Sequence, residues 1–234
     1  MLRSLRLAPA QTREDRDSIH PSPERTRATG AEFESLEKLS ARWWQWALSI
    51  PTSENPLLDA TGGKGVVGQR GSVWFLAGVF NGGMATRTFS VPADKVLFFP
   101  VANSFNINTP NVCGQDSNNI SAADLRTFSA ASIDGITSKS VKVDGQPVAN
   151  IPRIQSIVFA VVLPEENVFD APCIAAGLKN VPAGIYSPAV DDGFYVKLGP
   201  LQAGPHTVRF SARNKSQIVQ DVTYNLTVVP VSLQ

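Results

Sequence analysis

Histidine is nearly absent from this chain: among 234 residues it occurs only as His20 and His206. A zinc or copper centre built on several imidazoles is therefore excluded. A Ser-His-Asp hydrolase would have to use His206, and no Gly-x-Ser-x-Gly elbow exists to pair with it. His206 follows Gly204-Pro205 and reads as a turn-to-strand residue. Cysteine is equally scarce. Cys113 and Cys173 stand sixty positions apart with no further cysteine or histidine at metal-ligand spacing, which excludes zinc ribbons and Cys-x-x-Cys redox sites. The two read as one disulfide or as two separate buried thiols. An excess of one charge is missing too, since 21 basic residues face 20 acidic ones, so no surplus of cations is there to neutralise phosphates and no nucleic-acid partner is expected. Long hydrophobic runs are also lacking. The densest, Val73 to Phe80, is broken by Gly78 and falls far short of the roughly 18 apolar residues of a membrane span.

What is present suits a folded domain: 43% of the residues are hydrophobic and 18% charged, enough for a full core. Residues 1–30 stand apart, with six arginines mingled with four acids and no apolar period, and read as a flexible arm preceding a single domain over 31–234. Leu2, Leu5 and Leu7 are scattered among Arg3 and Arg6, so no signal-peptide core is expected there.

Thr29 and Glu32 form a capping-box pattern, and Phe33, Leu36, Leu39, Trp43, Trp46, Ala47 and Ile50 then recur at helical spacing up to Pro51. This predicts an amphipathic N-terminal helix with Trp43 and Trp46 inward and Trp44 outward. Ser121 followed by Asp124 predicts a second, short crossover helix before Gly135. The remainder reads as strand. Ser72–Phe80, Lys95–Val101 and Ile154–Leu163 are continuous apolar runs, as in strands covered on both faces. Segments around Phe194–Leu198, Val208–Ala212 and Val222–Val228 alternate, as in strands with one wet face. Asp144-Gly145 between apolar flanks is a strong hairpin signal. Short strands punctuated by 17 glycines and 17 prolines predict a mainly β protein, an antiparallel β-sandwich of jelly-roll or immunoglobulin-like type carrying those two helices.

Trp43, Trp44 and Trp46, then Ile50-Pro51, Asn55-Pro56, Asp59, Gly68-Gln69, the run Val73–Gly78, Phe98-Phe99-Pro100 and Asn103-Ser104, resemble a family of small, uncharacterised exported bacterial proteins. Asp191-Asp192-Gly193-Phe194-Tyr195 and the stretch Leu201–Phe210 are similar to that family's final hairpin and, more loosely, to immunoglobulin-like surface domains. The resemblance implies a β-rich fold, an extracellular or cell-surface location and no particular activity. It also implies that Cys113 and Cys173 are retained while a second cysteine pair is replaced by Gly65 and Phe89.

The glycine-rich Gly62–Gly71 segment lacks the Gly-Lys-[Ser/Thr] ending of a phosphate loop and leads into a strand, so it reads as a connection. The polar residues best able to converge at one end of a sandwich are Asp59, Gln69, Arg70, Asn103, Asp191, Asp192 and Tyr195. Together they could hold sugar hydroxyls or a calcium ion. Asp-Asp-Gly also suits a plain hairpin turn. The segment from Asn103 to Asn119 carries six asparagines, whose amides suit sugar hydroxyls or ordinary turns. These residues point first to a secreted or surface-associated protein that binds or assembles, with carbohydrate or calcium as partner. A polysaccharide hydrolase or lyase using Asp59, Asp191 or Asp192 with Tyr195 and Arg70 is the alternative. A structural homo-oligomer joined through sheet edges is a third.

Overall fold

A computed structural model describes residues 34–231; the arm and the Thr29–Glu32 pattern lie outside them. The described residues form two five-stranded sheets with three α-helices. The first sheet has the order β1 (Val73–Phe75), β3 (Val96–Ile107), β8 (Gly184–Leu198), β6 (Arg153–Gln155), and β7 (Phe159–Leu163) also pairs with β8. The second runs β2 (Gly83–Pro92), β10 (Ile218–Val229), β9 (Gly204–Asn214), β4 (Ile136–Val143), β5 (Gln146–Pro147). Most pairs are antiparallel, but both sheets are mixed, because β1 joins β3 and β2 joins β10 in parallel.

Helix α1 (Leu36–Leu48) starts at Ser35, whose side chain caps the Lys38 amide, and its three tryptophans pack on one face of the first sheet. The other face of that sheet meets the second sheet through Leu97, Phe99, Val196, Phe210, Val222 and Tyr224. The result is three layers with two cores. β3 and β8 belong to both, which is why Val96 to Ala102 are buried without alternation.

Helix α2 (Ala122–Asp134) crosses from the first sheet to the second, capped by Ser121 as predicted and ending at Gly135. Helix α3 (Asp170–Ala175) has no signal in the apolar periodicity and carries Cys173, which is bonded to Cys113. The Asp144-Gly145 turn closes β4 onto β5 with both residues at positive φ. His206 sits beside it, its ring nitrogens 2.7 Å from Asp144 Oδ2 and 2.8 Å from the Gln202 carbonyl.

Two predicted strands are shorter than expected. Ser72–Phe80 yields only Val73–Phe75. Beyond it, the carbonyls a ladder would use are taken by side chains: Leu76 accepts from Trp43 Nε1, Ala77 from Arg87 and Tyr224, and Gly78 from Arg87. Ile154–Leu163 breaks into β6 and β7 at Ser156, whose amide and hydroxyl both bond the backbone of Asp191.

Candidate functional site

The bond from Trp44 to Asp191 opposes the expectation that Trp44 faces outward. Its indole is buried and Nε1 donates to Asp191 Oδ1 at 2.7 Å. Trp43 and Trp46 are buried as expected, donating to the carbonyls of Leu76 and Val67. Asp191 lies on β8 under α1, fully enclosed, and Tyr195 donates its hydroxyl hydrogen to the second carboxyl oxygen at 2.8 Å. Burial pushes the Asp191 carboxyl up to about 8 against the lowering effect of the Trp44 and Tyr195 hydrogen bonds. Burial and the neighbouring Asp191 likewise push the Tyr195 phenol well above its ordinary value. Tyr195 stacks on Phe98, and its oxygen accepts from Asn103 Nδ2 at 3.1 Å. Asn103 stands across from Gly193, where a β-carbon would come within 2.7 Å of the asparagine Cβ, so only glycine permits this approach.

Asn103 and Trp44 both open onto a cavity of about 600 Å³. Its floor is α1 and β3, with Trp43, Trp44 and Phe105. The segment Gly78–Gly82 and Phe169 with the Cys113–Cys173 disulfide also line it, Phe80 and Phe169 meeting edge to face at 5.9 Å between centroids. Gln220 reaches in from β10, its Nε2 donating to the Val101 carbonyl at 2.7 Å and its Oε1 accepting from the Val79 amide at 3.1 Å. Among the described residues no ionisable side chain lines the cavity.

The remaining expected residues do not gather here. Asp59 accepts from the amides of Thr61, Gly62 and Lys64 and from the Thr61 hydroxyl. Burial works to raise its pKa, but the hydrogen bonds from Lys64, Thr61 and Gly62 outweigh it and hold the carboxyl at about 2. Gln69 bonds both backbone groups of Phe75 and the Gly65 carbonyl, closing the same loop. Arg70 is exposed. Asp192, next to Asp191 but on the opposite face of β8, accepts from Nε and Nη2 of Arg153 at 2.8 and 2.9 Å and from Gln155. The expected convergence therefore reduces to Asn103, Tyr195 and Asp191, of which only Asn103 faces the cavity. No group of three histidine, cysteine or acidic residues placed to hold a metal occurs among the described residues. The asparagines beyond β3 serve the loop itself: Asn108 bonds Gln115, Asn119 and the Ile120 amide.

Phe105, Phe169 and Gln220 escaped the sequence reading. Gln220 left a signal, since it occupies an inward position of the alternating strand that continues through Val222, Tyr224 and Leu226. Gly65 and Phe89, the positions where the resemblance implies a lost cysteine pair, touch each other: a β-carbon on Gly65 would lie 2.3 Å from the Phe89 ring. Comparison with known proteins finds no family model, no curated protein and no solved structure that matches the chain.

Proposed function

We propose that this is a secreted or surface-associated binding protein that holds a small, uncharged, hydroxyl-bearing molecule, a mono- or disaccharide, in the aromatic cleft beside Asn103. The observation that carries the reading is the lining of the cleft: aromatic rings and amides, with no ionisable side chain among the described residues. Its volume is within the usual range for small-molecule sites. Aromatic faces pack against the C–H faces of a sugar ring, and the amide of Asn103 can bond a hydroxyl without the cost of burying an unpaired charge. Among the described residues none donates a hydrogen bond to Asn103 Oδ1, which leaves it available to a ligand. The Cys113–Cys173 bond in the cleft wall is in keeping with an oxidising compartment.

Calorimetry with a panel of neutral mono- and disaccharides tests the reading. Saturable binding is expected to the wild type and to be lost in Ala176→Trp, which puts an indole at the cleft rim. Asn103→Leu is expected to weaken it about fivefold or more, the worth of one hydrogen bond. Absence of any saccharide binding, or equal binding by Ala176→Trp, would refute the proposal.

A further inference from the structure

Two side chains of the cleft, Trp44 and Asn103, are governed by one buried carboxyl group behind it. We propose that the chain Asp191–Tyr195–Asn103 is a polarity switch, in which one proton on Asp191 reverses both hydrogen bonds and so decides whether Asn103 offers the cleft an acceptor or a donor. The inference rests on the cleft being a site for an uncharged ligand.

The direction of each bond follows from what each group can do. Trp44 Nε1 can only donate, so Asp191 Oδ1 is committed as an acceptor whatever the pH. When the carboxyl is ionised, Oδ2 accepts the Tyr195 hydroxyl hydrogen at 2.8 Å. The phenol oxygen then accepts from Asn103 Nδ2 at 3.1 Å, and Oδ1 of the amide is turned to the cleft. When Asp191 takes up a proton on Oδ2, the oxygen that faces the phenol, that oxygen donates to the phenol oxygen. The hydroxyl hydrogen must turn to Asn103 and needs an acceptor. A half-turn of the amide, which leaves its shape unchanged, supplies Oδ1 to Tyr195 and presents the NH₂ group to the ligand. One proton is gained in total, and no other group changes its count.

The surroundings favour holding that proton near neutral pH, because the carboxyl is enclosed and none of the described cations pairs with it. The other titratable groups on its own strand are Tyr186, Asp192, Tyr195 and Lys197, of which Tyr195 bonds it directly and Asp192 is paired with Arg153 of β6. From α2, Arg126 donates to the Ser156 carbonyl rather than to Asp191. Helix α1 turns Trp44 and Ser40 toward it, while its Arg42 pairs with Glu34 and lies over Phe75. From β3 it meets Asn103, through Tyr195, and Phe105, its partner in the ladder.

The test uses two neutral bicyclic probes of similar size that do not titrate: indole, which only donates, and 1-indanone, which only accepts. Each is titrated by NMR into the full chain between pH 5 and 9.5. The ratio of indole to indanone affinity is expected to rise with pH by about fivefold or more, since one hydrogen bond is gained as another is lost. Asp191→Asn always carries a donor and is expected to keep the low-pH preference at every pH. Tyr195→Phe cuts the chain and is expected to flatten the profile. A pH-independent ratio in the wild type, with both probes displaced from the cleft by Ala176→Trp, would overturn the switch and leave the binding site standing. Binding of neither probe, or binding that Ala176→Trp does not disturb, would overturn the switch, while the saccharide calorimetry decides the binding site separately. If Asp191→Asn fails to fold, the wild-type and Tyr195→Phe profiles decide the question.

Discussion

Position 87 holds an arginine where the alternation of β2 calls for an apolar side chain, and the guanidinium is buried with no carboxylate partner among the described residues. Its charge is met by the carbonyls of Asp59, Ala77 and Gly78 and by the Tyr224 hydroxyl, at 2.6 to 3.0 Å. One side chain thus ties the Asp59 turn to the wall of the cleft. Arg87→Met strips donors from several buried oxygens at once and is expected to cost about 3 kcal/mol in urea unfolding, more than Arg87→Lys, which retains a charge and part of the donor set. Asp191 carries a pH prediction. Its folded pKa of about 8 stands above its ordinary 3.8, so between those values the native state holds a proton that the unfolded chain has released. The stabilisation is complete below about pH 4 and is lost as pH rises through about 8, with a slope approaching 1.4 kcal/mol per unit. Denaturation midpoints measured across this range are expected to fall with pH in the wild type and to fall less in Asp191→Asn.

At the scale of elements, α2 and the β4–β5 hairpin are locally encoded, and β1 is not. The Ser121 hydroxyl oxygen accepts from the Asp124 amide at 3.2 Å, and its hydrogen goes to the Asp124 carboxylate at 2.6 Å. Ser121→Ala is expected to lose about 1 kcal/mol of stability by chemical denaturation. In the hairpin, Asp144 bonds the Thr207 amide and His206, so its side chain links the β4–β5 turn to β9. The hydrogen bond to Asp144 raises the His206 pKa above 6.5, so its contribution is present below about pH 6.5 and fades as pH rises through the folded value. The apolar run after Ser72 carried no sign that side chains from α1, β2 and β10 would capture its carbonyls and end the strand.

Over the whole molecule, the first sheet is shared by two cores, one under α1 and one against the second sheet, and the cleft opens where the α1 core meets the β9–β10 hairpin. The Cys113–Cys173 bond joins the loop after β3 to α3 and forms part of the cleft wall. Closing a segment with a separation of 60 residues contributes about 4 kcal/mol through the unfolded state. Reduction is therefore expected to lower the urea midpoint markedly, and to weaken ligand binding even where the fold persists, because Phe169 and Cys173 are held to Cys113 only by that bond and by packing.

The sequence by itself determined the mainly β class, the Ser121 and Asp144-Gly145 signals and the double burial of β3, because each depends on residues close together in the chain. It also named Asn103, Asp191 and Tyr195, but only within a wider set with Asp59, Gln69, Arg70 and Asp192 expected to meet at one end of the sandwich. Only the tertiary structure decided that Trp44 turns inward to Asp191, that Asp59 and Gln69 close their own loop, and that Asp192 is drawn off to Arg153. A buried carboxyl or amide takes whichever partner the packing of distant strands brings within hydrogen-bonding distance, and that choice is made across separations of as many as 147 residues.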